Sequence, residues 1–390
     1  MNACLIAYTY YEMDFRVRRY AEMLADGKSQ VDVIALRGKD QEEFGTLNGV
    51  NIYRIQGRDY SEKGPVNYLL NYFRFMFFGM IRLGRLHARR RYDIVHVHNV
   101  PDFLVFMAIR PRLSGAKVIL DIHDIVPEFF CQKFRKTMDS AFARLLRVLE
   151  WLSVRFADHV IVANDIWRDK LILRDGLSPE RCTTIMNYPP LEFYRNNGGP
   201  KADGVFRLIY PGTLSYQHGV DILIRAMSLV VKKGRNIQLH IYGHKDASMF
   251  KKVLEDLVRE HDLADIVFFH EPVPPEQLSP MIASFDLGVV PKRGGIFAGE
   301  AFSTKVFDFM AAGIPVIASK TKIDEYYFDD SLIKFFTPED AGDLARCIAE
   351  LYANPGQRAV MVANGKKYIQ ENHWEAKKPL YTDILKKLVS

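Results

Sequence analysis

Two carboxylates and a lysine stand close together in the stretch GEAFSTKVFDFMAAGIPVIAS (299–319): Glu300, Lys305 and Asp308. The run that follows, Met310-Ala-Ala-Gly-Ile-Pro-Val-Ile, reads as a helix end, a glycine stop and a buried strand. The three charges therefore sit at the start of a helix expected over 303–312, with Ser303 or Thr304 near its N-cap. The free N–H groups and positive end of such a helix favour phosphate, and Lys305 adds a cation. Carboxylates repel phosphate; their natural partners are the hydroxyls of a sugar or ribose. The chemistry that needs both is recognition of a sugar nucleotide, with amides and lysine on the diphosphate and acids on the hydroxyls. The alternative is a solvated helix start whose acids and lysine pair with one another, which is worth little.

Elements that would position these residues alternate along the whole chain. ACLIAY (3–8), VDVIAL (31–36), NIYRI (51–55), DIVHVH (93–98), KVILDIH (117–123) and HVIVA (159–163) read as strands separated by helical patterns. Near-continuous apolar strands of this kind predict a parallel sheet covered on both faces. The pattern breaks at NNGGPKADG (196–204), a linker composition, and restarts with FRLIYPG (206–212), IQLHIYG (237–243), DIVFFH (265–270), DLGVVP (286–291) and PVIAS (315–319). Two doubly wound α/β domains follow, over 1–198 and 205–371. In such sheets ligands bind at the carboxyl ends of the strands, and a cleft between two domains is the expected site. Neither half carries G-x-G-x-x-G after its first strand, which excludes a plain dinucleotide-binding enzyme.

Composition narrows the class further. The 390 residues are 48% apolar and 26% charged, enough for two cores. Residues 1–195 hold 29 Lys and Arg against 23 Asp and Glu, while the remainder is balanced at 24 each, so the whole formal charge of +6 lies in the first half. An anionic partner on that half is one reading and a chance distribution of surface charge the other. Four scattered cysteines without Cys-x-x-Cys point to a reducing compartment and no structural zinc. Acids at Glu12 and Asp14 exclude a signal peptide, and no apolar run is long enough to span a bilayer, so a cytoplasmic protein is expected.

The stretch 299–319 resembles the retaining glycosyltransferases of the GT-B fold, specifically glycosyltransferase family 4, whose Glu-x7-Glu motif precedes a helix ending Met-Ala-Ala-Gly-x-Pro-Val. Glu300 matches the first acid and Asp308 stands where the second glutamate is usual. The resemblance runs along nearly the whole chain. MDFRVRRYAEMLADGKSQVDVIALR (13–37) looks like the opening of bacterial surface-polysaccharide transferases, and HVHNVPDFLVFMA, VILDIHDIVPEFF and ERCTTIMNYPP follow in the expected order. YPGTLSYQHGVDILIRAM matches the loop and helix after the first strand of the second domain. WEAKKPLYTDILKKL (374–388) looks like the closing helix, so that 372–390 would pack back on the first domain.

By that resemblance, Glu300 and the amides of Ala301 and Phe302 meet the donor sugar, Asp308 binds the ribose, and Ser303, Thr304 and Lys305 approach the diphosphate. His123, at the end of strand 117–122, lies against the donor sugar; the alternative is a histidine satisfied by Asp124 or backbone. Base contacts would fall near His270 to Val273. One departure matters: the family's Gly-Arg-Leu-x-x-x-Lys-Gly loop has Thr213 and His218 here in place of its cations. Lys305, Lys292 or Arg293, the amides of Gly212, Thr213 and Leu214, and a protonated His218 are the candidates to compensate. Tyr11, Asp14, Arg16, His98 and Asn99 are candidates for the acceptor side, whereas His96, inside its strand, reads as a sheet residue.

The implied reaction retains configuration without an enzymic nucleophile: the acceptor attacks from the face the nucleotide leaves, and a phosphate oxygen takes its proton. No Asp-x-Asp pair stands at a strand end, so no metal is expected. No cofactor is expected beyond the substrate, a UDP-sugar in preference to a GDP-sugar, and no nucleic acid. The acceptor would be a lipid-linked (polyprenyl-diphosphate) or free oligosaccharide. Two other readings remain: a sugar-nucleotide epimerase of similar shape, and a non-catalytic subunit that binds a lipid intermediate. Finally, NYLLNYFRFMFFGMIRLGRLHARRRYD (67–93) is aromatic early and basic late. At about 100° per residue Arg74, Arg82, Arg85 and Arg89 fall within roughly 80°, opposite Leu69, Phe73, Met76, Met80 and Leu83. Such a helix either docks on an anionic membrane, covers the first sheet, or does both on different faces.

Overall fold

Apolar strands buried on both faces, alternating with amphipathic helices, build two parallel sheets. The computed structural model describes residues 1–27, 29–57, 65–194, 199, 203–232, 234, 236–243, 249–273 and 275–389. The chain divides into two compact units, Met1–Asn187 with Pro379–Ser390, and Tyr188–Lys378. Residues 188–194, placed above with the first domain, fall in the second unit, and most of the linker 196–204 lies outside the described residues.

The first unit holds β1 (Asn2–Ala7), β2 (Gln30–Arg37), β3 (Phe44–Leu47), β4 (Val50–Gly57), β5 (Ile94–His98), β6 (Lys117–Ile122), β7 (His159–Val162) and β8 (Cys182–Thr184). Their order is β3-β4-β2-β1-β5-β6-β7-β8, parallel except for the β3–β4 hairpin. The second unit holds β9 (Phe206–Pro211), β10 (Ile237–Tyr242), β11 (Val267–His270), β12 (Leu287–Val290), β13 (Val316–Ser319) and β14 (Lys334–Phe336), in the order β11-β10-β9-β12-β13-β14. Strand order reverses between β1 and β5 in one sheet and between β9 and β12 in the other. The loops after those four strands therefore splay apart and leave room for ligands. Three short edge strands, β3, β8 and β14, escaped the sequence reading because FGTL, CTT and KFF carry too few residues for a period to show.

The helix Pro65–Arg90 buries one face in the first unit and leaves another in solvent. Tyr72, Phe75, Leu83 and Leu86 are buried, and Gly79 lets Met107 approach so closely that a β-carbon there would stand 2.1 Å from its methyl. Leu83, expected on an outward apolar face, is 0% exposed. A second apolar arc remains in solvent: Leu69, Leu70, Phe73, Phe77, Met80 and Ile81 span about 120° of the helix. Arg74, Arg85 and Arg89 are exposed along one edge of that arc, not opposite it. Arg90 pairs instead with buried Asp32, and Arg82 lies over the Tyr53 ring.

Beneath the β1/β5 reversal lies a buried polar network. Arg16 donates from Nε and Nη2 to the two oxygens of Asp121 at 2.7 and 2.6 Å, and from Nη1 to Asn187 at 3.0 Å. Burial pushes the Asp121 carboxyl up, but Arg16 and His98 more than reverse this and hold it well below its ordinary value. His98 Nδ1 lies 3.0 Å from Asp121, His98 stacks on His96 at 4.2 Å, and the Tyr381 hydroxyl bonds His96 Nδ1 at 3.0 Å. Through Tyr381, fully buried, residues 379–389 are keyed into the first unit. Arg16→Met strands the Asp121 carboxylate out of water and should cost about 3–5 kcal/mol. Tyr381→Phe should cost only about 0.5–1.5 kcal/mol. Thermal unfolding of the two variants checks the ranking; an Arg16→Met protein melting within a degree of wild type would contradict it.

Candidate functional site

In the second unit the loops after β9 and β12 and the helix Lys305–Ala312 meet at the strand ends. The helix begins at Lys305, two residues later than expected, because Thr304 caps it with αR backbone and no side-chain bond. Lys305 reaches back along the loop after β9: a β-carbon on Gly212, whose φ is +141°, would stand 2.6 Å from Lys305 Cε and 2.9 Å from Nζ. Only glycine accepts both that backbone and that contact. The ammonium lies 5.5 Å from the Tyr210 ring centroid and forms no ion pair among the described residues. Desolvation lowers its pKa to about 8, although Asp308 opposes the shift.

Asp308, one turn on, accepts a hydrogen bond from the Tyr194 hydroxyl at 2.7 Å. Burial raises its pKa to about 6, with Tyr194 and Lys305 pulling back. Glu300 is held differently, by the exposed Lys322 at 2.9 Å. Lys322 is well exposed, whereas the Glu300 side chain is only 12% exposed. The loop carrying Glu300 is braced from below. Lys292 donates to Ala301 O at 2.9 Å and pairs with Asp324 at 2.8 Å, Ile323 N donates to Gly299 O at 3.1 Å, and Phe302 packs on Phe307 at 4.6 Å.

These bonds correct several expectations. Lys292 is bound to Asp324, and Arg293 is bidentate on Asp221 at 2.9 and 2.6 Å, so neither cation is left for a diphosphate. Burial lowers the His218 pKa to about 4, with Lys305 adding to the effect, and Ser215 Oγ lies 2.8 Å from its Nδ1; it is neutral at pH 7, not a cation. The Gly212 amide donates to Tyr242 O at 2.7 Å and the Ala301 amide to Phe297 O at 2.8 Å, so both are engaged. Leu214 is a core residue, Thr213 is exposed, and Ser303 and Thr304 are half-buried beside Lys305. Of the compensating groups expected, Lys305 is the cation the structure leaves unpaired.

In the first unit a cavity of about 200 Å³ opens at the β1/β5 reversal. Asp14, Asn99, His123 and Asp124 line its polar end, with Tyr8 and Thr9 from the end of β1. Tyr68, Tyr72, Phe129 and Lys133 form the other wall. Asp14 accepts from the amides of Arg16 and Val17 at 3.1 Å each, capping the helix Phe15–Asp26. Asn99 is a buried organiser: its Oδ1 accepts from the amides of His123 and Asp124 at 3.0 and 3.3 Å, and its amide donates to Asp102 at 2.8 Å. His123 Nδ1 is buried without a partner.

Tyr11, Arg16 and His98 do not reach this cavity. Tyr11 and His98 are 0% exposed and Arg16 is held by Asp121, so none of the three offers a side chain to it. His96, His98 and Asp121 do converge, with ligand atoms within 4.8 Å of one another. Both Asp121 oxygens already accept from Arg16, and a divalent ion there would face a buried guanidinium. The group is a polar network and not a metal centre. The aromatic–lysine wall and Tyr194 were missed by the sequence reading; the cluster EFFCQK, an exposed cation one turn past two phenylalanines, was the available signal.

Two family models match the chain, the glycosyl transferase 4-like domain over residues 13–187 and glycosyl transferases group 1 over 196–368. An uncharacterized glycosyltransferase of Methanocaldococcus jannaschii is 24% identical over 371 residues, 91% of this chain and 89% of that protein. The D-inositol 3-phosphate glycosyltransferase of Thermobifida fusca is 22% identical over 389 residues, 93% of this chain and 86% of its own. Among solved structures, the sucrose-phosphate synthase of Thermosynechococcus elongatus matches with a TM-score of 0.78 at 20% identity, covering 100% of this chain and 99% of that one. Anabaena HepE in complex with UDP and glucose matches at 0.73 and 16% identity, with 99% of each chain covered. With a glycosyltransferase model on each of its two Rossmann-like units, the protein is a glycosyltransferase of the GT-B fold.

Proposed function

We propose that this chain transfers a sugar, with retention, from a nucleotide-diphosphate sugar to a lipid-linked glycan acceptor in cell-surface polysaccharide synthesis. The observation that carries the donor half is Lys305: an ammonium desolvated to a pKa of about 8 and left without an ion pair. A partly desolvated charge of this kind costs stability unless an anion completes it. The diphosphate is assigned to Lys305 and the start of its helix, the sugar hydroxyls to Glu300, and the ribose to Asp308 with Tyr194. In the first unit, His123 is assigned a sugar hydroxyl. The acceptor oxygen forms its bond to the anomeric carbon as the bond to the diphosphate breaks on the same face, and a diphosphate oxygen takes the proton. No metal or further cofactor enters this reading. UDP is favoured as the nucleotide, supported by the HepE structure that holds it.

A membrane-bound acceptor is supported by the outward arc of the helix Pro65–Arg90 and its arginine edge. A second helix, Ala141–Phe156, adds exposed Leu145, Val148, Trp151 and Leu152, with Arg155 over the Trp151 ring at 4.6 Å. Both helices pack on the same segment, Asp102–Ala108. Among the described residues no helix is long and apolar enough to cross a membrane, and this surface fits peripheral attachment to an anionic inner leaflet.

A panel of nucleotides read by thermal stabilisation tests the donor assignment. The unfolded chain keeps the Lys305 proton up to about pH 10.5 and the folded one releases it near 8, so free-protein stability rises with pH across that window. Bound UDP favours the ammonium, so stabilisation by UDP should be full below pH 8 and decline above it. Lys305→Met should melt no lower than wild type at pH 7, yet lose about 1–3 kcal/mol of UDP binding. Undiminished UDP stabilisation in that variant would place the diphosphate elsewhere.

In turnover, Glu300→Gln should depress kcat and Asp308→Ala should chiefly raise the donor KM. The donor KM should also rise below about pH 6 as Asp308 protonates. Because the Tyr194 hydrogen bond lowers that pKa, Tyr194→Phe should move the limb to higher pH; an unmoved limb would detach Asp308 from donor binding. For the membrane, co-sedimentation should require anionic vesicles, weaken with salt, and fall when Arg74, Arg85 and Arg89 become glutamine. Equal binding to neutral vesicles would refute the charge-assisted docking.

A further inference from the structure

The lining of the cavity in the first unit is of two chemical kinds. Asp14 and the unpartnered His123 Nδ1 are hydroxyl-binding groups. Lys133, in the same lining, is a cation that the sequence reading assigned no role. The Lys133 ammonium stands 4.1 Å from the Tyr68 ring centroid and 5.5 Å from that of Phe129. Among the described residues it has no ion pair. The acid nearest in its own helix, Glu128, is buried and held by Lys170 and Arg174 at 3.1 and 2.8 Å, so it cannot neutralise Lys133. Two aromatic rings fix the ammonium and keep water from one side of it, which strengthens its attraction for an anion on the other.

Tyr68 sits on the same helix turn from which the outward apolar stripe departs. Leu69, Phe73 and Phe77 follow at intervals of four, so the stripe leads away from the cavity along the helix axis, and Phe73 is stacked on Phe103 at 5.4 Å. Hydroxyl-binding groups and a cation thus line one cavity, and an exposed apolar stripe runs along the helix that supplies part of its wall.

We propose that Lys133 binds the phosphate of the acceptor, which is a sugar joined through phosphate to a hydrocarbon chain. The sugar enters toward Asp14 and His123, the phosphate is held by Lys133 between Tyr68 and Phe129, and the chain lies over Leu69, Phe73 and Phe77. This rests on the lipid-linked acceptor proposed above and adds what selects it. Lys133 is a specificity-determining residue and takes no part in bond making.

The test uses the full chain and three soluble probes below their micelle concentrations, decyl phosphate, decyl glucoside and inorganic phosphate, measured by calorimetry. Decyl phosphate should bind about tenfold or more tightly than either of the others, since it alone engages cation and stripe together. Lys133→Gln should lose about tenfold toward decyl phosphate and nothing toward decyl glucoside, while Phe73→Ser should weaken both decyl probes and leave inorganic phosphate unchanged. Stabilisation by UDP, read on the same preparations, should be intact in both variants, which shows that they fold and separates this outcome from failure of the donor assignment. Equal affinity of wild type for decyl phosphate and decyl glucoside, or no loss in Lys133→Gln, would overturn the proposal. Inorganic phosphate binding as tightly as decyl phosphate would also overturn it, by reducing the site to a free-anion site.

Discussion

A half-buried lysine ammonium with no carboxylate paired to it is the constraint round which the second unit is arranged. Lys305 can lie against the loop after β9 only because residue 212 is a glycine at φ +141° with no side chain in the way. Asp308 is one turn along the same helix but does not close to an ion pair; the Tyr194 hydroxyl holds its carboxyl instead. The two other cations that the loop could have offered are tied down, Lys292 to Asp324 and Arg293 to Asp221. The site is therefore short of one anion by construction. That shortage is the property on which the proposed diphosphate site rests.

The first unit makes the opposite choice with its deepest charges. Arg16 and Asp121 are both buried and fully paired, and the histidines stacked beside them are kept neutral by burial. This network does no chemistry, but it fixes the ends of β5 and β6, and Asn99 then draws the amides of His123 and Asp124 into place. A rigid floor leaves the variable chemistry to the walls, where Lys133 and the aromatic residues of the helix Pro65–Arg90 stand.

The sequence showed the architecture where it repeats and the chemistry where residues crowd together. Eleven strand runs were legible from apolar blocks bounded by helical patterns, and the paired acids with Lys305 were legible from local spacing alone. What could not be read was which polar residues pair across long separations. Arg16 meets Asp121 across 105 residues and Tyr194 meets Asp308 across 114, so spacing carries no trace of either. The same limit explains why Tyr11, Arg16 and His98 were expected at an acceptor. Each follows or ends a strand at the right edge of the sheet, and only packing decides whether such a side chain turns up into solvent or down into the core.

The two acids of the opening motif show how one family pattern can be met by different physics. Glu300 lies on a braced loop and is paired with an exposed lysine. Asp308 lies inside the first turn of a helix, and it is one methylene shorter than the glutamate usual at that position. Partial burial of this shorter acid raises its pKa, to about 6. Tyr194, a residue outside the motif, supplies the hydrogen bond that opposes the rise and keeps the carboxyl ionised near neutral pH. The substitution and its phenolic partner are thus one feature, and changing either alone alters the protonation of that carboxyl.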